Sequence, residues 1–259
     1  RRDMKQDRPI LGIGLMLGFS CVAPIGDAVI KLLGDLMPVA FFILWRFIMQ
    51  AVLLTPIVVA TKTLKAMTRQ QYALILFRTI CHIVGVGAIF MGFRHLPLAD
   101  AIAIAFVMPF FSLLLGKYVL GEEVGMRRLL ACCVGFLGTL LIIQPSFLEV
   151  GNAVFWPVLA AFTFALFMLA GRQLATSADP IAIQMVSGYM AAAIMVPVVL
   201  IGNQRGWTEF GIFMPTGSTL WLLLLAGVLG TIAHLLMTWS LRFAPSTTLA
   251  PLTYVEIPI

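Results

Sequence analysis

Runs of about 20 apolar residues recur along this chain, and each is long enough to cross a bilayer as a helix. They cover Ile10–Ile30, Pro38–Ala60, Tyr72–Phe93, Leu98–Val119, Arg128–Ile143, Val154–Gly171, Ile181–Ile201 and Thr219–Leu241. A ninth begins at Thr247 and is cut at Ile259. The connections are short and carry the charges. Only 11% of the residues are charged, against about 25% in soluble domains, so the chain cannot cover a water-facing surface. A soluble enzyme, a disordered chain and a nucleic-acid-binding domain are excluded. Barrel strands alternate over about 10 residues, and these runs do not. The expected fold class is an all-α integral membrane protein embedded in a lipid bilayer.

The basic residues set an orientation. With the N-terminus in the cytoplasm, twelve of the 17 Lys and Arg fall in inner segments, among them Lys62, Lys65, Arg127, Arg128 and Arg242. Lys31, Arg94 and Arg205 fall outside, and Arg46 and Arg78 lie within spans. This asymmetry is the positive-inside pattern. It accounts for the net charge of +6 without a nucleic-acid partner. Cys21, Cys81, Cys132 and Cys133 sit in apolar runs with no second CxxC pair or paired histidines, so neither a metal site nor a disulfide framework is expected. No cofactor motif is present.

A repeat is visible. Phe93-Arg94-His95-Leu96-Pro97 resembles Leu241-Arg242-Phe243-Ala244-Pro245, and Leu54-Thr55-Pro56-Ile57-Val58 resembles Met195-Val196-Pro197-Val198-Val199. The first Arg–Pro turn follows span three and the second follows span eight. The unit is therefore five spans, and an odd unit inverts its topology, as in secondary carriers. Residues 1–150 form the first expected repeat and 151–259 the second. The repeat predicts that the chain continues past Ile259 with the rest of span nine and a tenth span, giving ten helices of which about nine are present.

Charges inside a bilayer cost about 2.5–3.5 kcal/mol on insertion scales, which singles out Arg46, Arg78 and Glu256. Arg46 reads either as a fixed cation for a carboxylate or phosphate or as a structural ion pair. Arg78 reads as a cavity residue or as a side chain snorkelling to the cytoplasmic interface. Glu256, flanked by Pro251 and Pro258, suits a substrate cation or a proton exchanged with substrate; the alternative is a permanent ion pair. Tyr254 is expected at the cavity edge. His82 and His234 are candidates for proton relay or hydrogen bonding, Trp239, Trp45 and Tyr189 for stacking on substrate, and Gln184 for the cavity wall. Asp100 reads as a helix-start residue, and Asp27 as a gate or a wetted position. Intramembrane hydrolysis lacks a nucleophile–base pair or HExxH, and there is no P-loop for ATP-driven transport.

Several stretches carry a family resemblance: Trp45-Arg46-Phe47, Arg78, Leu96-Pro97-Leu98-Ala99-Asp100-Ala101, Gly121-Glu122-Glu123 with Arg127-Arg128, Gly135-Phe136-Leu137-Gly138, and Ala250-Pro251-Leu252-Thr253-Tyr254-Val255-Glu256. Together they resemble the EamA-type branch of the drug/metabolite transporter superfamily. The last stretch is similar to bacterial S-adenosylmethionine uptake carriers. The resemblance implies a non-enzymatic transporter of a small-molecule metabolite in the bacterial inner membrane. Amino-acid-like, S-adenosylmethionine-like and vitamin-like substrates stay open, as do direction, coupling ion and oligomeric state.

The orientation is tested by cysteine labelling. Cysteines replacing Lys62 and Arg127 are expected to react only from the cytoplasm, and one replacing Arg205 only from outside. Labelling of positions 62 and 205 from the same side overturns the inverted five-span repeat.

Overall fold

A computed structural model describes residues 8–143 and 151–255. Within them the chain is helical, with no strand. Seven stretches are long and apolar enough to span a membrane. Helix α1 is Pro9–Leu33, α2 Val39–Thr61 and α3 Arg69–His95. Span four is split into α4, Leu98–Ala105, and α5, Met108–Leu120. Next come α6, Met126–Ile143, in the place expected for span five, then α7, Phe155–Ala175, α8, Pro180–Gln204, and α9, Ser218–Phe243. Span nine opens with a single turn, α10, Ser246–Leu249, followed by a 3-10 stretch, Ala250–Val255. The expected repeat boundary near residue 150 and the continuation from Glu256 lie outside the described residues.

Local sequence sets the helix ends. Thr68 accepts from the Gln71 backbone N–H while the Gln71 side chain accepts from Thr68, a reciprocal cap that starts α3. Asp179 caps α8 by accepting from the N–H groups of Ile181 and Ala182, with Pro180 in the first turn. The outer faces stay apolar. Phe77, Ile80 and Val84 on α3, and Val52 and Val59 on α2, are exposed and suited to acyl chains.

The halves interlock. Helix α1 packs along α9, α3 along α7, and α2 along α8, which is the pairing an inverted two-fold produces. Two contacts join repeat-equivalent residues directly. The spacing that separates Pro56 from Pro197 also separates Phe47 from Gly188, and a Cβ at Gly188 would lie 3.1 Å from the Phe47 carbonyl oxygen. The spacing from Arg94 to Arg242 also separates Phe106 from Tyr254, whose rings meet at 5.6 Å.

Matching locks sit at opposite ends of the bundle. At one end Lys31 Nζ donates to the carbonyls of Phe93 and Leu96. At the other, the repeat-equivalent Arg172 donates to the carbonyls of Leu241, at 2.8 Å, and Arg242. Arg94 donates to Gly34 and Met37 carbonyls and pairs with Glu209 at 2.5 Å. Its equivalent Arg242 stands 3.9 Å from Asp179.

The split in span four departs from the single run expected from hydropathy. Pro109 has no N–H to give the Ala105 carbonyl, and the Val107 N–H turns to Ile104. The carbonyl of Phe106 is instead satisfied from outside its own helix, by the Tyr254 hydroxyl at 2.9 Å. Tyr254 is 7% exposed and packs on Phe106 and Phe136. Gly135 lies beneath it, where a Cβ would come within 2.5 Å of the ring. Span nine therefore also departs from expectation: after its first turn it is a 3-10 stretch wedged on span four, and from Ala250 to Val255 the α-helical period does not order its side chains.

Another motif finds its purpose here. Gly121, at φ +65°, closes α5 in the left-handed region that glycine tolerates. The chain then turns Glu122 onto the N-terminus of α10. Its carboxylate accepts from the N–H groups of Ser246 and Thr247 and from the Ser246 hydroxyl at 3.0–3.3 Å. Arg128 donates to Thr247 Oγ1 at 2.8 Å.

Tyr254→Phe removes the donor on the Phe106 carbonyl and keeps the ring. A loss of about 1–3 kcal/mol is expected, the range for an orphaned buried polar group, read as a lower melting temperature in detergent. Tyr118→Phe, at a 76% exposed position, serves as the control and leaves it unchanged.

Candidate functional site

A cavity of about 150 Å³ lies between the two halves, walled by α1, α2, α3, the span-four break, α7, α9 and Thr253 of span nine. Its walls are largely apolar and aromatic, with Phe19, Phe93, Phe106 and Phe164. Three ionisable side chains line it: Asp27, Arg46 and His234.

Arg46 reaches the cavity because α9 offers it no side chain. A Cβ at Gly230 would lie 2.7 Å from Arg46 Nε and 2.9 Å from Nη2, so the guanidinium rests on bare helix backbone. Met49 uses Gly227, one turn away, in the same manner. Among the described residues Arg46 makes no protein hydrogen bond or close ion pair. Asp27 is its electrostatic partner across the site, but no direct bond joins them. The two charges thus share one apolar cavity without closing on each other.

Below Arg46, towards the end of the bundle where α1 begins, two further rungs bridge α3 and α9. His82 and His234 come together with ring centroids 4.2 Å apart. Phe47, Phe164 and Phe167 surround the pair. One turn lower, Arg78 donates to Thr238 Oγ1 at 2.9 Å and to Gln184 Oε1 at 3.2 Å. Its guanidinium lies 3.9 Å from the Phe167 ring centroid. Gln50 donates to the Gln184 carbonyl at 2.6 Å, and Gln184 Nε2 donates to Thr238. Gly230, His234 and Thr238 are spaced by four along one face of α9, so the three rungs span about 12 Å at 1.5 Å per residue.

The sequence candidates therefore separate. Arg46, His82, Arg78, His234 and Gln184 converge on this column. Arg78 is fully buried and held by Gln184 and Thr238, so the reading of a snorkelling side chain does not hold. Tyr254 is buried against the span-four break and does not line the cavity. Trp239 is half-buried and away from the cavity wall. Trp45 donates to the Leu223 carbonyl at 3.1 Å, and Tyr189 is half exposed and bonded to Thr55. Glu256 lies outside the described residues. Asp27 belongs inside the site, where the sequence left it as a gate or a wetted position. Gln50 and Thr238 were not singled out at all. A polar residue in an otherwise apolar run was the available signal for each.

The EamA-like transporter family model matches residues 10–144 and again 151–258. A riboflavin transporter of Rhizobium johnstonii is 30% identical over 71% of this chain and 58% of its own length. An S-adenosylmethionine uptake transporter of Rickettsia prowazekii is 25% identical over 91% of this chain and 76% of its own length. That of Rickettsia bellii is 27% identical over 96% and 82%. A solved crystal structure with 15% sequence identity superposes with a TM-score of 0.70 over 96% of this chain and 83% of that one, a likeness of fold alone.

The Arg46–Gly230 contact is tested by a double-mutant cycle. A Cβ at Gly14 meets nothing within 4 Å, so Gly14→Ala is expected to stabilise the helix by about 1 kcal/mol. Gly230→Ala must displace Arg46 and is expected to lower the melting temperature. In an Arg46→Ala background the same change becomes stabilising. Equal effects with and without Arg46 refute the contact.

Proposed function

The chain belongs to the EamA-like transporter family, and from that premise we propose that it is a secondary carrier that moves a small charged metabolite by alternating access. The observation that supports this most is the Arg46 guanidinium, without an acceptor among the described residues, in a mainly apolar cavity between two inverted halves with Asp27 on the same wall. A membrane charge is costly unless protein, water or ligand compensates it. Here the compensation is suited to a bound substrate: an oxyanion on Arg46 and a cationic group on Asp27, with aromatic walls for a planar moiety.

On this reading residues 1–150 and 151–259 are the two repeats, the N-terminus is cytoplasmic, and the membrane is the bacterial inner membrane. The carrier performs no covalent chemistry. Relatives named for S-adenosylmethionine and riboflavin make these the first substrates to try. S-adenosylmethionine supplies a carboxylate, an ammonium, a sulfonium and a purine, which suits the Asp27–Arg46 arrangement better than uncharged riboflavin does. Glu256, which lies outside the described residues, remains on this reading the second carboxylate of the transport path, for a substrate cation or a coupled proton.

The full-length protein in proteoliposomes is expected to take up labelled S-adenosylmethionine against unlabelled internal substrate. Arg46→Gln and Asp27→Asn are each expected to reduce flux at least about tenfold, the scale of one lost charge-assisted bond. Glu256→Gln is expected to do the same with its melting temperature retained. Undiminished flux in Arg46→Gln removes the residue from the pathway. A destabilised Glu256→Gln rescued by Arg46→Gln assigns those two residues to a structural pair.

A further inference from the structure

The column beneath the cavity holds more hydrogen-bonding capacity than the protein uses. Arg78 is fully buried, and its Nε has no partner. Both nitrogens of His82 and Nδ1 of His234 are likewise buried without a partner. Four orphaned polar atoms thus lie on two adjacent rungs. Buried polar groups are ordinarily paired, and orphans cost stability. No acidic side chain bonds to Arg78 among the described residues; its partners are the neutral Gln184 and Thr238. Phe167 touches all three groups, with Arg78 against its ring and the rings of His82 and His234 at 4.7 and 5.4 Å.

We propose that Arg78 and the His82–His234 pair form a second oxyanion subsite, one step along the transport path from Arg46, which receives the carboxylate or phosphate of the substrate as the carrier turns. This rests on the carrier reading and adds to it a substrate class: molecules bearing an oxyanion. A guanidinium presents a planar fork that matches two oxygens. The unused Nε is one edge of that fork. Gly171 faces this edge with no side chain of its own; a Cβ there would stand 3.5 Å from Nε and 3.1 Å from Leu241 Cδ1, so an oxyanion reaches Nε only as α7 and α9 move apart in the transport cycle. The histidines are the intermediate rung, within one helical turn of Arg46 above and of Arg78 below. An anion leaving Arg46 therefore meets a donor at each turn of α9 and is never stranded in the apolar core, where an unpaired charge is costly.

A packing role alone predicts the same stability but no loss of transport. Imidazoles enclosed by phenylalanines and making no hydrogen bond are replaced by Phe at no cost, or with a gain, because the orphans vanish.

The test uses full-length protein in proteoliposomes and two pairs of probes that differ by one anion. One pair is S-adenosylmethionine and decarboxylated S-adenosylmethionine; the other is flavin mononucleotide and riboflavin. The wild type is expected to favour the anion-bearing member of the pair it moves by at least about tenfold. In Arg78→Gln, which keeps donors and acceptors for Thr238 and Gln184, that preference is expected to fall at least about tenfold. The loss is expected in turnover, with little change in the concentration for half-saturation from the Arg46 side. The double variant His82→Phe/His234→Phe is expected to melt no lower than the wild type and to lose at least about fivefold in turnover of the anion-bearing probe. If Arg78→Gln slows both members of a pair equally, or the double variant keeps full turnover, the subsite is overturned while the carrier stands. If the wild type moves no member of either pair, the carrier reading for these substrates fails, and the subsite with it.

Discussion

Inside a bilayer no water is available to take an unmet hydrogen bond, so every polar group must find its partner within the protein. That constraint turns an apolar sequence into helices and leaves each irregular stretch needing an identifiable rescue. The break at Phe106–Val107 is rescued by the Tyr254 hydroxyl. The start of span nine, whose first N–H groups have no acceptor within the helix, is rescued by Glu122. Lys31 and Arg172 cover carbonyls at the ends of α3 and α9. The Tyr254 and Glu122 bonds cross between the halves, so there one half of the chain completes the other, whereas Lys31 and Arg172 each serve their own half.

The same constraint makes the exceptions informative. Around the cavity the rescue stops: among the described residues Arg46 makes no hydrogen bond, and three of the four ring nitrogens of the histidine pair are buried without a partner. Among the described residues, isolated carbonyls are satisfied by side chains from elsewhere in the chain, while the buried polar atoms left without a partner gather in one column. Glycines do the placing. Gly227 and Gly230 let α2 side chains lie on α9, and Gly188 brings α8 onto the α2 backbone.

Much of this was legible in the sequence, for reasons that differ by level. Spans follow from hydropathy because the bilayer sets their length. The repeat follows from Arg94/Arg242 and Pro56/Pro197. Arg46, Arg78, His82, His234 and Gln184 stood out because polarity within an apolar run carries a cost. Their convergence did not stand out, because it depends on which helix faces meet. The hydrophobic pattern in a membrane marks the lipid-facing side weakly, since buried and lipid-exposed positions are both apolar. Arg78 could be read as snorkelling only while its α8 and α9 neighbours were unknown. Pro109 was visible as a kink, but the donor that Tyr254 brings to the neighbouring Phe106 carbonyl is a tertiary fact. Asp27 was left as a gate or a wetted position because an aspartate near a span end carries no sign of which cavity it faces; the structure puts it on the cavity wall.

The two ends of the bundle bear on the proposed alternation. Repeat-equivalent cations lock both: Lys31 with Arg94 at one end, Arg172 with Arg242 at the other. Their chemistry is matched, but their grip is not. Arg94 holds two carbonyls of the α1–α2 connection and a carboxylate at 2.5 Å, whereas Arg242 stands 3.9 Å from Asp179. Charge-assisted bonds weaken steeply over such a difference. In an inverted repeat, exchanging the conformations of the two halves exchanges the environments of equivalent residues. On the proposed carrier reading, the tight set at one end and the loose set at the other are the two states that equivalent cations would exchange. What one end would give up on opening, the other would recover on closing, which would keep two conformations close enough in free energy for a substrate of ordinary affinity to shift the balance.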